Sequence, residues 1–267
     1  MSVIPDSFKN SVVSIGVDFN NITSWIGSGF FIGKKVNDAQ YEVYLVSNQH
    51  VLSQSKLYKI RMIDKITNNV QEYSLSLKEN INLFFHPNLN VDIGIVVING
   101  SYISEHIKDF ALIDIDSNAY SSTEYLANGG SSGDLCYMIG FPMGLVVSND
   151  TEPICRLGCV ARFSQSEIKT SSSFLVDINN FPGNSGSPLF LRPEILSIQG
   201  TKNIDKCILI GVVKSYIPYE EKLLNMQTGK VVEVKSENSG IALATPIEYL
   251  KDVVDIIHQK KEGENND

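Results

Sequence analysis

Phe181-Pro-Gly-Asn-Ser-Gly-Ser-Pro-Leu-Phe190 is the stretch on which the reading of this chain turns. Ser185 stands between Gly183 and Gly186, and an apolar strand-like run begins at Pro188. Small neighbours leave room for a reacting carbonyl beside the hydroxyl, and glycine lets the backbone turn N–H groups toward one point. Converging donors of that kind form an oxyanion hole, which stabilises the charge that develops when a nucleophile adds to a carbonyl. The same residues also suit a plain glycine-rich turn between strands. The presence of activating partners elsewhere in the chain decides between the two.

A serine hydroxyl is a weak nucleophile until a base takes its proton. The chain has four histidines, His50, His86, His106 and His258. His50 lies at the end of Tyr44-Leu-Val-Ser-Asn-Gln-His-Val-Leu52, where a strand exit would hold an imidazole rigidly. Taken alone, a histidine there is more often a surface or satisfied core residue. The imidazole also needs an orienting carboxylate, and Asp92 opens the apolar run Val91-Asp-Ile-Gly-Ile-Val-Val-Ile98. A carboxylate leading into a buried strand is costly unless something pairs with it, although capping or exposure at the strand edge would also satisfy it.

The rest of the chain limits what these residues can belong to. Its 267 residues, 43% hydrophobic and 19% charged, suffice for one large domain or two packed lobes. The net charge of −8 and the absence of a Lys/Arg cluster argue against nucleic acid as a partner. No apolar run is long enough to span a membrane, and the N-terminal residues do not read as a secretory signal. Cys136, Cys155, Cys159 and Cys207 follow no C-x-x-C pattern and read as buried free thiols, so no metal or other cofactor is expected. A cytoplasmic location is the corresponding expectation.

Short β-type runs dominate, which favours barrels or sandwiches over a parallel βαβ sheet. One set comprises Ser11–Val17, Gly27–Ile32, Tyr41–Val46, Leu57–Ile63 and Ile93–Ile98; the other comprises Leu135–Ile139, Leu157–Phe163, Phe174–Ile178, Ser187–Leu191, Cys207–Val213 and Gly240–Ala244. Between them Ser117–Ser132 reads as a linker, so lobes are expected over 1–125 and 126–260. Thr245-Pro-Ile-Glu248 predicts a helix start with Thr245 as cap and Glu248 completing a capping box. Ile247, Leu250, Val253, Val254 and Ile257 then recur at helical spacing, and the polar end of the chain, 261–267, is expected to be flexible.

Three blocks in this order resemble the chymotrypsin/trypsin superfamily of serine peptidases, and within it the bacterial HtrA/Deg-like protease domains. Ser47-Asn-Gln-His-Val51 resembles the family's histidine motif, His86–Gly94 its aspartate motif, and Pro182–Pro188 its serine motif. Gly27–Ile32, Gly133–Gly144, Gly211-Val-Val213 and Ser239–Pro246 are softer matches, so the resemblance covers residues 10–257, with no PDZ-sized segment after them. It implies an all-β fold of two six-stranded antiparallel β-barrels with a C-terminal helix. It also implies a serine endopeptidase with His50 as base, Asp92 as its orienting group and Ser185 as nucleophile. The N–H groups of Gly183 and Ser185 would form the oxyanion hole.

The same resemblance places the specificity pocket between Phe174–Asn180 and Val213–Tyr216, making Asn179, Lys214 and Ser215 candidate substrate-binding residues. Lys214 would favour acidic side chains or simply face solvent.

Two departures stand out. Ser187 replaces a glycine in a tight place, and Asn184 replaces an aspartate that would pair with a newly cleaved N-terminus. Tyr216–Asn238 looks longer than its family counterpart, either as a solvated hairpin or as a sensing loop. A cytoplasmic endopeptidase needs restraint, so Asn180–Asn184 or Tyr216–Asn238 is expected to lack order until a substrate, oligomer or regulatory protein partner engages it. The competing function is an idle trypsin-fold binding module. An α/β-hydrolase is ruled out because Ser187 holds the last position of its G-x-S-x-G motif and only His258 follows the serine.

Overall fold

The computed structural model describes residues 4–37, 40–194 and 204–264. The first lobe is built from β1 (Val12–Phe19), β2 (Ile22–Asn37), β3 (Gln40–Ser47), β4 (Leu57–Ile63), β5 (Val70–Ser76), β6 (Leu83–Phe85), β7 (Gly94–Ile98) and β8 (Ile113–Asp114). The second contains β9 (Leu135–Gly140), β10 (Ile154–Arg162), β11 (Phe174–Asp177), β12 (Pro188–Leu191), β13 (Ile208–Leu224) and β14 (Val231–Pro246). Among the described residues six α-helices accompany them: α1 (Asp6–Asn10), α2 (Gln49–Leu52), α3 (Gly100–His106), α4 (Ser122–Ala127), α5 (Gln165–Ser171) and α6 (Ile247–Glu264).

The second lobe closes as a six-stranded barrel in the order β10-β11-β14-β13-β12-β9. The first departs from the expected six-stranded barrel. It is an eight-stranded sheet, β5-β4-β1-β2-β3-β7-β6 with β8 added in parallel to β2, and among the described residues no ladder joins β5 to β6. β5 was not expected because Val70-Gln-Glu-Tyr-Ser-Leu-Ser76 is a polar edge strand with little buried surface to signal it.

Side chains alternate across a strand, and here both faces are covered. Phe30, Ile32, Tyr44 and Val46 enter the core shared between the lobes, while Phe31, Val43 and Leu45 enter the first lobe's own core. The continuous apolar runs of β2 and β3 follow from that double burial. Each lobe also reaches onto the other. Phe8 of α1 stacks on Phe190 of β12 with ring centroids 4.9 Å apart. In return, α6 buries Ile247, Leu250, Val253, Val254 and Ile257 in the shared core, as its spacing predicts.

The ends of α6 differ from expectation. Thr245 belongs to β14, and its Oγ1 has no partner among the described residues. Glu248 accepts from the Ser122 N–H at 3.0 Å and from the Ser122 hydroxyl, so it secures α4 and does not complete a capping box of its own. At the other end, the helix continues through Glu264. Lys261 pairs with Glu42 at 2.7 Å and Lys260 donates to the Asn80 carbonyl, anchoring the part of the expected flexible tail that is described. Residues 265–267 lie outside the described residues.

The expected linker contains α4, which has its own capping box between Ser121 and Glu124, and Tyr125 enters the second lobe's core. Tyr216–Asn238 is a regular hairpin in which Pro218–Leu224 pairs with residues 231–238 beyond the barrel, and not an irregular loop. Of the cysteines, Cys136 and Cys207 are buried, Cys159 is intermediate and Cys155 is exposed; all four are free thiols. Among the described residues no helix is long and apolar enough to cross a membrane.

If the N-terminal arm is part of the second lobe's packing, Phe8→Ala lowers stability by about 3 kcal/mol. Urea denaturation would show this as a lower midpoint with an unchanged m-value.

Candidate active site

β3 ends at Ser47, and α2 turns the chain so that buried Val51 and Leu52 plug the first core while His50 stays at the surface of the cleft. The Tyr58 hydroxyl donates to the Val51 carbonyl at 3.0 Å, and Gln54 Nε2 donates to the His50 carbonyl at 3.0 Å. Asp92 sits just before β7, flanked by Val91 and Ile93, both fully buried. Its own carbonyl accepts from Asn48 Nδ2 at 2.8 Å.

These anchors bring the two side chains together. Asp92 Oδ2 lies 2.6 Å from His50 Nδ1, and Asp92 Oδ1 accepts from the His50 backbone N–H at 3.0 Å. A carboxylate is an acceptor only, so Nδ1 carries the proton and a neutral imidazole keeps its lone pair on Nε2. Asp92 is largely enclosed, with 14% of its side chain exposed against 49% for His50. The carboxylate is therefore shielded, whereas the imidazole remains reachable from the cleft.

The other histidine of the aspartate motif has a structural task. Buried His86 accepts the Asn88 N–H at its Nδ1 and meets Tyr249 edge-on, with Nε2 3.5 Å from Asp252 Oδ2 of α6.

The loop carrying Ser185 is held carbonyl by carbonyl. The Pro182 carbonyl accepts from Met143 N–H at 2.5 Å, that of Gly183 from Ser28 Oγ at 2.7 Å, that of Asn184 from Ser187 N–H at 2.9 Å, and that of Ser185 from Ser28 N–H at 2.8 Å. In a trans peptide the C=O and the following N–H point in opposite directions. Fixing the Pro182 and Asn184 carbonyls therefore turns the Gly183 and Ser185 N–H groups the other way. Neither donates to a partner among the described residues. Asn184 N–H instead closes a turn on the Phe181 carbonyl at 3.0 Å. Gly183 has φ +95, and a Cβ there would lie 2.4 Å from the Phe141 carbonyl, so only glycine fits.

Asn180–Asn184 is thus held by hydrogen bonds to Met143, Ser28 and Ser187 and by its own Phe181–Asn184 turn. The Asn180 carbonyl also accepts from Asn238 Nδ2 at 2.5 Å.

The Ser185 hydroxyl is directed at the Lys214 carbonyl, 3.5 Å away, and makes no hydrogen bond to His50. Lys214 Nζ crosses to the first lobe and donates to the Asn90 carbonyl at 3.1 Å. The residues His50, Asp92, Leu89, Asn90, Thr170 and Lys214 line an open cleft of about 600 Å³. Pairing of β12 with β13 ends at Val212, so Lys214, Ser215 and Tyr216 present an open strand edge beside the serine. Exposed Asn179 has its Oδ1 3.7 Å from where a Cβ on Gly240 would stand.

Ser28 was read only as part of the strand before the histidine. It is fully buried, and its hydroxyl also accepts Phe141 N–H at 2.9 Å while its carbonyl accepts from Ser47 Oγ at 2.7 Å. The Gly27-Ser28-Gly29 triplet was the available signal: a Cβ on Gly27 would lie 2.8 Å from Val51, and one on Gly29 2.9 Å from the Val46 carbonyl.

The family described as trypsin-like peptidase domain matches residues 27–194, and the chain belongs to that family. The matched span contains His50, Asp92 and Ser185. Among solved structures the chain is similar to the MamO protease domain from Magnetospirillum magneticum in its apo form. That likeness has 13% identity and a TM-score of 0.46, covering 93% of this chain and 98% of that one. No curated protein matches the sequence.

Ser187 fits because Gly140 lacks a side chain: a Cβ on Gly140 would lie 1.9 Å from Ser187 Oγ. Gly140→Ala should cost about 2 kcal/mol by overpacking. Adding Ser187→Gly should recover part of the loss, since Ser28 Oγ still lies 2.8 Å from that Cβ, and a double-mutant cycle measured by chemical denaturation should give a coupling above about 0.5 kcal/mol.

Proposed function

We propose that this chain is a serine endopeptidase that hydrolyses peptide bonds of protein or peptide substrates through an acyl-enzyme intermediate. The observation that supports this reading is the doubly held His50–Asp92 pair in a cleft that Lys214 also lines, with the Ser185 hydroxyl directed at the Lys214 carbonyl and the Gly183 and Ser185 N–H groups without a partner among the described residues. Ser185 Oγ attacks the scissile carbonyl as His50 Nε2 takes its proton, and the imidazolium that forms is stabilised by Asp92. The tetrahedral oxyanion receives the Gly183 and Ser185 N–H groups, and His50 returns its proton to the leaving amine. Water then repeats the sequence on the acyl-enzyme.

The substrate backbone adds as a strand along Lys214–Tyr216, an edge left open where β12 ends. Asn179, Lys214 and Ser215 contribute to side-chain selection. Because Lys214 Nζ is held by one carbonyl at the cleft rim, it can be drawn to an acidic substrate side chain at little cost.

Activity is gated at the serine itself. The Ser185 hydroxyl faces the Lys214 carbonyl and must rotate toward His50 before it can be deprotonated. A bound substrate strand, or a regulatory protein on the cleft, would favour that rotation. The same resting orientation favours a second reading, in which the fold binds polypeptides without cleaving them. The proposed setting for either activity is the cytoplasm.

A fluorophosphonate probe separates the two. A peptidase labels at Ser185, Ser185→Ala and His50→Ala abolish labelling, and Asp92→Asn slows it by roughly 10⁴-fold. Absence of labelling in folded protein, both alone and with an excess of an unfolded polypeptide, favours the binding module.

A further inference from the structure

Arg61 takes no part in the proposed triad, yet it is only 7% exposed. It leaves β4 of the first lobe, and its Nη2 donates to the Val147 carbonyl at 2.7 Å and the Ser148 carbonyl at 3.0 Å. Both carbonyls belong to the second-lobe loop that follows β9. The guanidinium also lies 5.7 Å from the ring of Trp25, the chain's one tryptophan. Burial pushes its pKa below the ordinary guanidinium value, although an arginine remains charged there. A buried cation is costly unless its donors are satisfied, and these two carbonyls take up the two N–H groups of Nη2.

The loop it grips is strained where it meets the catalytic serine's loop. Met143 has φ 56 and ψ 21, a left-handed conformation that a side chain disfavours. Gly144 follows with φ +62, and a Cβ there would stand 3.0 Å from the Trp25 carbonyl. From that strained position Met143 N–H reaches the Pro182 carbonyl. Such conformations persist only where the surroundings over-determine them. Pro142 precedes the strained pair, and the two carbonyls held by Arg61 follow it.

We propose that Arg61 is a positioning residue for the oxyanion hole. By clamping the Val147 and Ser148 carbonyls it keeps Met143 left-handed, and Met143 N–H in turn holds the Pro182 carbonyl out of the cleft. Gly183 N–H is thereby left facing the substrate. Without the clamp, Met143 relaxes toward the right-handed region and the Pro182–Gly183 peptide is free to rotate. A carbonyl then points to where the oxyanion should form, so one donor is lost. The inference rests on the peptidase reading for its catalytic consequence, but the coupling from Arg61 to Met143 does not.

The test is Arg61→Met, which keeps much of the packing and removes both hydrogen bonds. Losing one oxyanion donor costs 10²–10³-fold, so kcat should fall roughly 100-fold. KM should stay within about threefold, because ground-state binding is untouched. In the Ser185→Ala background, affinity for a substrate peptide should be unchanged by Arg61→Met. Arg61→Lys keeps a donor for one carbonyl and should lose only about tenfold in kcat; where Arg61→Met does not fold, Arg61→Lys is read in its place.

An unchanged kcat in the folded variant would overturn the inference. So would a rate loss matched by an equal loss of peptide affinity, the mark of a merely structural role. Amide exchange at Met143, measured on the full chain, is independent of activity and should accelerate in the variant. If the wild type neither hydrolyses nor labels, the peptidase reading fails while the coupling is still decided: unaltered exchange at Met143 refutes it, and faster exchange supports it.

Discussion

Ser28 makes the contact on which the rest of this structure depends. One buried residue of the first lobe donates from its N–H to the Ser185 carbonyl and from its hydroxyl to the Gly183 carbonyl, and accepts from Phe141 N–H and Ser47 Oγ. These bonds tie β2, the end of β3, the end of β9 and the Ser185 loop to one point between the lobes. A buried polar group left without its partner costs about 1–3 kcal/mol, so the pattern penalises any sliding of one lobe against the other. The glycines on either side of Ser28 are what let four segments converge on it. The shared apolar core supplies the bulk attraction between the lobes, and Ser28 supplies the register.

That register matters because the proposed chemistry is divided between the lobes. His50 and Asp92 are fixed by the first lobe through α2, Asn48 and the buried residues that flank them. The serine and the two free N–H groups are fixed by the second, through carbonyls that already have partners. Neither half can act alone, and a small displacement between them would separate nucleophile from base. The exchanged arms serve the same end: α1 lies on β12 and α6 runs back to the first lobe, where Lys261 meets Glu42.

The cleft is preorganised in its backbone and uncommitted in its side chains. Every peptide around Ser185 has a defined direction, whereas the serine hydroxyl and the Lys214 ammonium each rest on a single carbonyl. Electrostatic stabilisation of an oxyanion depends on donors that need no reorganisation at the moment of reaction, so rigidity is placed where it counts. In the proposed peptidase the hydroxyl and the ammonium, each held by one carbonyl, would respond to a substrate strand on the open edge of β13. The β13–β14 hairpin projects from the same edge and so borders the path a long polypeptide would follow.

The sequence by itself determined the β class, the second barrel's strands, the buried face of α6, and the three blocks around His50, Asp92 and Ser185. Each is carried by local chemistry: period-two apolar runs, a helical repeat, and small residues packed around reactive ones. The tertiary structure alone decided what depends on contacts between distant segments. Among the extra strands of the first lobe, β5 was hidden because a polar edge strand buries too little to leave an apolar pattern, and β6 and β8 because three and two residues are too few to show one. The expected cap gave way because Thr245 stays inside β14, paired with Val212, and Glu248 meets Ser122, 126 positions away in the chain. Arg61 was illegible for the same reason, since an arginine in a strand carries no local mark of the carbonyls it will meet, and at Ser28 only the two flanking glycines signalled a close approach.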